Sequence, residues 1–231
     1  MAKVLGIGSP KGGVGKSTEA VTLAAIAAKV WNLQVLLVDA DDGTHTSSGW
    51  TKRGDADVFP FDVAVTDGDL SRLPDLKQAE KWDLVIVDMP GTKQGAWDTM
   101  LTGSDGKPIP DLLLLPSKEE FGDLRPTVSS IEAEILPLNA PYLLALLPIF
   151  YYAMNEAAER RDGLIKRGLN VAATIVQRRQ VYVDAFEANR SVLSMPGARS
   201  KAREAERDQL ALAREVFELL GFQTPAGQRR S

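Results

Sequence analysis

The feature that most constrains this chain is a glycine-rich stretch between an apolar run and an alanine-rich helical pattern. Residues 4–8 form the apolar run, and residues 9–18 read Ser-Pro-Lys-Gly-Gly-Val-Gly-Lys-Ser-Thr. A helix that starts near Gly15 directs its unpaired N–H groups and the positive end of its dipole at an anion. The glycines let the backbone curl around that anion without an obstructing Cβ. The order of strand, glycine-rich turn and helix therefore predicts a phosphate-binding loop.

Two side chains at the end of this loop suit the phosphates of a nucleoside triphosphate. Lys16 is placed to meet the β- and γ-phosphates as a point charge. The Ser17 hydroxyl is placed to complete the shell of a Mg²⁺ ion that bridges the same oxygens. The Gly-x4-Gly-Lys-[Ser/Thr] pattern is met except at its first position, where this chain has Pro10.

The run Lys-Gly-Gly-Val-Gly-Lys-Ser-Thr resembles the deviant Walker A motif of the ParA/MinD family of P-loop ATPases. Members of that family carry a second, "signature" lysine at the head of the loop, which is Lys11 here. The resemblance implies slow, partner-stimulated hydrolysis of ATP with Mg²⁺, and a homodimer in which Lys11 reaches the partner's nucleotide. It also implies that the whole run binds ATP, namely Lys11, Gly12, Gly13, Val14, Gly15, Lys16, Ser17 and Thr18.

Two further apolar runs end in aspartate, within residues 34–39 and 82–91. Such runs are typical of parallel strands buried on both faces, and ligands collect at the carboxyl ends of those strands. The resemblance assigns Asp39 and Asp88 to the magnesium shell together with Ser17. It assigns Asp41 to the attacking water, so that the catalytic set is Lys11, Lys16 and Asp41. Gly43 stands where the family usually has glutamine.

Apolar runs and helical patterns alternate along the rest of the chain. Further strands are predicted within residues 58–65, 111–116, 142–148 and 171–176, and helices over residues 16–30, 69–81, 124–136 and 153–168. This alternation predicts an α/β fold, with a mostly parallel twisted sheet flanked by helices on both faces. A length of 231 residues suits a single domain, 1–231, and the early start of the nucleotide motif leads us to expect no separate N-terminal DNA-binding domain.

Composition narrows the chemistry and the location. The chain has no cysteine and a single His45, so it has no disulfide framework and no histidine-built zinc site. No apolar run is long enough to span a bilayer, and we find no signal peptide. We therefore expect a cytoplasmic protein, and the resemblance to ParA-type partition ATPases implies that it is nucleoid-associated.

A local basic excess points to nucleic acid, although the net charge of the chain is −4. Seven basic and four acidic side chains lie between residues 177 and 207. Such an excess can follow a phosphate backbone, although a solvated helix face with paired charges accounts for it as well. The candidate DNA-binding residues are Arg178, Arg179, Arg199, Lys201 and Arg203.

These observations favour a DNA-partition ATPase of the ParA type. The resemblance implies that it dimerises on ATP, binds nonspecific DNA, is released by hydrolysis and is stimulated by a ParB-like or adaptor partner. An ATPase that recruits components for conjugation or secretion is the alternative. A MinD-like membrane ATPase is disfavoured because the C-terminal helix carries acids, such as Glu215 and Glu218, and is not a basic amphipathic anchor.

Overall fold

The computed structural model describes residues 1–41, 43–66, 69–91, 94–103, 106–148, 150–196 and 200–225. Its strands are β1 (Lys3–Ile7), β2 (Val35–Asp39), β3 (Asp62–Val65), β4 (Leu84–Asp88), β5 (Leu112–Ser117) and β6 (Tyr142–Leu146). Its α-helices are α1 (Lys16–Lys29), α2 (Thr46–Lys52), α3 (Leu73–Gln78), α4 (Gln94–Thr102), α5 (Phe121–Ser130), α6 (Met154–Lys166), α7 (Gln180–Glu187) and α8 (Ser200–Leu219).

The six strands form one parallel sheet in the order β3-β2-β4-β1-β5-β6. This arrangement confirms the predicted α/β class. In such a sheet the loops that follow the strands all emerge at the same edge. The phosphate loop after β1 therefore lies beside the loops after β4 and β5, and Asp39 at the end of β2 pairs in register with Asp88 at the end of β4.

The strands are apolar along their whole length because helices cover both faces of the sheet. Alternate residues of β4 show this: Leu84 and Ile86 pack into one hydrophobic cluster with α1 and α8, and Val85 and Val87 pack into another on the opposite face. Helix α1 has small, buried side chains on most of its surface, which let it lie close against the sheet.

Two predicted strands differ from the structure. The segment 171–176 forms no continuous strand: it makes an isolated bridge from Val171 to Leu144 of β6, and the N–H groups of Ala172 and Val176 donate to the carbonyls of Leu144 and Leu146. The N–H groups of Ala173 and Thr174 donate to the Glu215 carboxylate of α8, at 2.7 and 2.8 Å, so they are not available to a strand ladder. The predicted strand over 58–65 is limited to β3, since Pro60 precedes it and cannot donate a ladder hydrogen bond.

Helix bounds differ as well. Helix α3 is shorter than the predicted 69–81, and the predicted helix over 124–136 is α5 followed by a π-helical turn at Ile131–Ile135. Helix α2 lies in a polar stretch for which no element was predicted. This helix matters because it places serine side chains beside Asp39 and Asp88.

Candidate functional site

The loop between β1 and α1 curls back on itself at its glycines. Gly13 and Gly15 have φ angles of 71° and 105°, a left-handed region that glycine enters without a Cβ penalty. Gly15 is the N-cap of α1, and a Cβ added there would lie 3.4 Å from Leu147 Cδ1 at the end of β6. That distance is an ordinary van der Waals contact, so the left-handed backbone angle is what favours glycine at this position.

Lys16 opens α1 and points its ammonium group across the loop. Its Nζ lies 3.5 Å from the carbonyl oxygen of Lys11. A Cβ on Gly91, just after β4, would lie 3.3 Å from the same nitrogen. Burial lowers the pKa of Lys16, although the carboxylates of Asp88 and Asp41 act in the opposite direction. Lys16 thus lies between the phosphate loop and the acidic ends of two strands, as phosphate binding requires.

Asp39 is fully buried and is already held by backbone donors. Its Oδ1 accepts a hydrogen bond of 3.2 Å from the Asp41 N–H, and its Oδ2 accepts one of 2.8 Å from the Ser48 N–H. These bonds connect the end of β2 to the following loop and to α2. Asp39 therefore organises this loop, whether or not it also accepts a bond from a metal-bound water.

Asp88 has a different environment. It is 1% exposed, and neither carboxylate oxygen has a hydrogen-bond partner among the described residues. Burial, with a contribution from the neighbouring Asp39, raises the pKa of Asp88 to about 6. Lys16 and the hydroxyls of Ser17 and Ser47 oppose the shift, although neither hydroxyl forms a hydrogen bond of ordinary geometry with the carboxylate. A buried carboxylate with open acceptor sites beside a second carboxylate is stabilised by a cation.

The residues here fit a magnesium ion. The open oxygens of Asp88, the Ser17 hydroxyl and the buried, unpaired Ser47 hydroxyl offer hard oxygen acceptors and water partners. Over the described part of the chain, no group of three or more His, Cys, Asp or Glu side chains forms a metal cage. Mg²⁺ needs no such cage, because it keeps several waters and takes phosphate oxygens as ligands.

Asp41 is half-buried in the loop after β2. Its carboxylate accepts hydrogen bonds from the Thr44 hydroxyl at 2.7 Å and from the Gly43 N–H at 3.0 Å. Partial burial acts to raise the pKa of Asp41, but these bonds outweigh it and the pKa is lowered. Asp41 is therefore an ionised acceptor at neutral pH, as orientation of a water requires. Asp42, its neighbour in the motif, lies outside the described residues.

Lys11 is directed toward its own chain. Its Nζ lies 3.6 Å from Asp123 Oδ1 of α5, and Lys118 Nζ lies 3.6 Å from the other oxygen of the same carboxylate. The Lys11 side chain is 45% exposed, so this ion pair is screened by water and weak. A small free-energy change is enough to release Lys11 toward another partner.

The five candidate DNA residues do not form one surface. Arg178 donates a 3.0 Å hydrogen bond to the carbonyl of Gly13, in the phosphate loop. Arg179, whose side chain is 9% exposed, forms ion pairs with Asp208 at 2.7 Å and with Glu204 at 3.4 Å. A largely buried, neutralised arginine is not free to contact a phosphate backbone, so we leave Arg179 out of the proposed DNA face.

Two of the remaining candidates, Lys201 and Arg203, lie at the start of α8. Lys201 and Arg203 are exposed in the first turn of the helix, and Arg199 lies outside the described residues. Arg207, one turn further on, is 76% exposed, and its side chain lies 3.7 Å from Asp208 Oδ1. The basic surface that the described residues support is therefore Lys201, Arg203 and Arg207 on the N-terminal half of α8. These side chains alternate with Glu204, Glu206 and Asp208, so this half of the helix has no net positive charge.

The site is that of a P-loop nucleotide-binding protein. Strand β1 leads through a left-handed glycine turn into the N-terminus of α1, and Lys16 and the buried Asp88 face this turn. Residues 5–210 match the model of the CobQ/CobB/MinD/ParA nucleotide-binding domain, and the chain belongs to that family. The family resemblance drawn from the sequence is confirmed. The protein is an ATPase, and its cofactors are ATP and Mg²⁺.

Two curated relatives match along nearly the whole chain. The maintenance of carboxysome distribution protein A of Gloeobacter kilaueensis is 31% identical over 215 residues, which cover 93% of this chain and 94% of the relative. The chromosome-partitioning ATPase Soj of Thermus thermophilus is 26% identical, over 87% of this chain and 93% of its own.

A solved structure has the same fold. The septum site-determining protein MinD of Pyrococcus horikoshii, complexed with Mg-ADP, superposes with a TM-score of 0.68. It is 20% identical to this chain and covers 96% of it, with 98% of its own chain matched.

Several groups near the site were not predicted from the sequence. Ser47 and Ser48 were unassigned, although a Thr-Ser-Ser run soon after an acidic strand end could have suggested them. Asp123 and the P-loop contact of Arg178 left no local signal, because their partners are more than 100 residues away in the sequence.

Proposed function

We propose that this protein is a partition ATPase that dimerises on ATP, binds duplex DNA without sequence preference and is released by hydrolysis. The observation that carries the proposal is the signature Lys11, 45% exposed, at the head of the phosphate loop. Within its own chain the Lys11 side chain makes a weak, water-screened ion pair with Asp123, so it can be released to contact the nucleotide of a second copy. The relative named for chromosome partition supports the biological role.

Each residue has a specific task in this proposal. Lys16 and the backbone N–H groups of the loop bind the phosphates, and Lys11 contributes positive charge to the nucleotide of a second copy. Asp41 orients the attacking water, so catalysis is mostly a matter of placement. Bound Mg²⁺ supplies charge neutralisation at the phosphate oxygens, with Ser17 and Asp88 as the residues that hold it and Asp39 supporting the loop around it.

The DNA-binding step is assigned to the basic surface at the start of α8. Dimerisation would place two copies of this surface on one assembly, so weak phosphate contacts add through effective concentration. The apolar face of the same helix is used by the fold, since Leu212, Val216 and Phe217 are fully buried. In the part of the chain that the structure describes, no helix has the length and apolar character to cross a membrane.

A second cargo is favoured by one comparison. The relative that is 31% identical is named for carboxysome distribution, so the same ATP cycle could position a protein body instead of a replicon. Whether the cargo is a replicon or a protein body, the proposal includes a ParB-like or adaptor protein that stimulates ATP hydrolysis.

The decisive experiment measures binding to nonspecific duplex DNA with ATP, with a nonhydrolysable analogue and with ADP, together with the ATPase rate with and without DNA. We expect binding only in the triphosphate states and a higher rate with DNA. A wild-type dimer that binds no DNA even at low salt would contradict the partition mechanism and favour the recruitment ATPase.

A further inference from the structure

Arg178 connects the phosphate loop to a distant part of the chain. Its Nη1 donates a 3.0 Å hydrogen bond to the Gly13 carbonyl, across a separation of 165 residues. Its backbone N–H donates to the Pro148 carbonyl at 2.9 Å. The arginine is thus fixed by its main chain at the end of β6 and by its side chain to the loop.

The loop has little other support at this point. Residues 11–13 are exposed, and a Cβ built on Gly12 or Gly13 would meet no atom within 4 Å. Glycine backbone is the most flexible in an unrestrained chain, so a site that depends on a fixed Gly13 loses more entropy on ordering than one built from other residues. A tether to the Gly13 carbonyl restricts that freedom before the ligand arrives.

We infer that Arg178 is a positioning residue for the triphosphate, and that it acts through the peptide between Gly13 and Val14. No peptide in the described chain is cis, and a trans peptide directs its C=O and N–H to opposite sides. By holding the Gly13 carbonyl, the arginine therefore sets the direction of the Val14 N–H. Backbone N–H groups of such loops are the phosphate ligands.

The charge of the guanidinium strengthens this effect. A hydrogen bond from an ionised donor to a carbonyl is stronger than a neutral one and polarises the peptide, so the N–H becomes a better donor. This role rests on nucleotide binding by the loop and not on the DNA binding proposed above. It replaces the DNA contact that the sequence suggested for Arg178.

The chain provides a matched control in Arg161. Its Nη1 donates a 2.8 Å hydrogen bond to the Ala173 carbonyl, so it makes the same kind of arginine-to-backbone tether. That tether joins α6 to the segment beside α8 and does not touch the phosphate loop. Arg161→Ala therefore measures the effect of removing such a bond outside the site.

The experiment compares the wild type with Arg178→Ala, Arg178→Lys and Arg161→Ala. Titration with a fluorescent ATP analogue and Mg²⁺ gives Kd, and steady-state hydrolysis gives KM and kcat separately. We expect Arg178→Ala to raise Kd and KM about tenfold, because the loss of one hydrogen bond that involves a charged group has an effect of about this size. The change in kcat should be much smaller, because the bond supports nucleotide binding in general. Arg178→Lys, which keeps a cation and a donor, should recover most of the affinity, and Arg161→Ala should leave Kd unchanged.

Three results would overturn the inference. These are an unchanged Kd for ATP in Arg178→Ala, an equal rise in Kd in Arg161→Ala, and weaker DNA binding by Arg178→Ala with normal ATP affinity. If the alanine variant fails to fold, Arg178→Met, which keeps the length of the side chain but has no donor, takes its place and should raise Kd for ATP in the same way. If the wild-type protein binds no DNA, the partition proposal fails and the ATP measurements still decide the role of Arg178.

Discussion

Gln209 Nε2 of α8 donates a 2.9 Å hydrogen bond to Glu19 Oε1 of α1, and both side chains are buried. The same nitrogen lies 3.2 Å from the Tyr182 hydroxyl. The second oxygen of each partner, Glu19 Oε2 and Gln209 Oε1, has no hydrogen-bond partner among the described residues. A proton on Glu19 removes the negative charge from this buried carboxyl group and adds a donor beside its unpaired oxygen. The first helix after the phosphate loop is therefore joined to α8 by a carboxyl group that favours its neutral form.

The first prediction concerns pH and stability. Burial raises the pKa of Glu19 from 4.5 to about 7, although Gln209 and Arg178 oppose the shift. Between these two values the native state binds more protons than the unfolded chain. The free energy of unfolding should therefore fall as the pH rises through this window, by about 3 kcal/mol from this group. Urea unfolding of the protein without nucleotide or Mg²⁺, from about pH 4.5 to pH 8, measures it.

Glu19→Gln isolates this contribution because glutamine is neutral at every pH. We expect a smaller decrease in stability with pH, and a variant that is more stable than the wild type at about pH 8. The exposed Glu159→Gln is the control and should follow the wild type. Equal pH dependence in Glu19→Gln and the wild type would show that Glu19 is ionised in the native state.

The second prediction separates the two loop lysines. Lys16→Ala should lose most nucleotide affinity, since it removes the ammonium that faces the phosphates. Lys11→Ala should keep much of that affinity and lose ATP-dependent dimerisation and turnover, because Lys11 lies outside the loop's own phosphate site. Nucleotide titration and light scattering with ATP measure the two effects.

Lys118→Ala is the matched control for Lys11, since both lysines contact the Asp123 carboxylate. It should still dimerise. If the wild type remains monomeric with ATP and with a nonhydrolysable analogue, the proposal that Lys11 contacts the nucleotide of a second copy is wrong.

The third prediction tests Asp41. Asp41→Ala should bind ATP, dimerise and stall, because it removes the ionised acceptor that orients the water while leaving Lys16 in place. Single-turnover hydrolysis measures the chemical step, and light scattering confirms the dimer. Asp55→Ala, which changes an exposed acid outside the nucleotide site, is the control and should turn over normally. Hydrolysis at the wild-type rate by Asp41→Ala would assign the water to another group.

The fourth prediction concerns the DNA face. Replacing Arg199, Lys201 and Arg203 by alanine should weaken binding to all duplex sequences alike while ATP-driven dimerisation remains. Each phosphate that the variant no longer neutralises should reduce the slope of log affinity against log salt by about 0.9. Binding isotherms at several salt concentrations provide the slope.

The control for the DNA face is Arg167→Ala. Arg167 is an exposed arginine on the α6 side of the protein and pairs with Glu132 at 2.6 Å. Its replacement should leave the salt slope unchanged. If the triple variant keeps wild-type DNA affinity, the DNA face lies elsewhere.

The sequence predicted the sheet and the phosphate loop because both are encoded in neighbouring residues. An apolar run of strand length followed by glycines and a helical pattern specifies strand, turn and helix without reference to the rest of the chain. The same local order places Asp39 and Asp88 at strand ends, and the rule that ligands meet at the carboxyl edge of a parallel sheet brings them together. The strand predicted over 171–176 was wrong because Glu215, about 40 residues later, takes the N–H groups that a strand needs.

The sequence by itself determined the class of fold, the nucleotide loop and the acids that face it. Only the tertiary structure decided what the arginines do, since Arg178 and Arg179 are adjacent in sequence yet one holds the phosphate loop and the other is neutralised by α8. The physical reason is that charge and residue type are local properties, whereas the partner that satisfies a charge is set by which distant segments pack together. The same reason explains Glu19, a carboxyl whose burial against Gln209 depends on a helix almost 200 residues away.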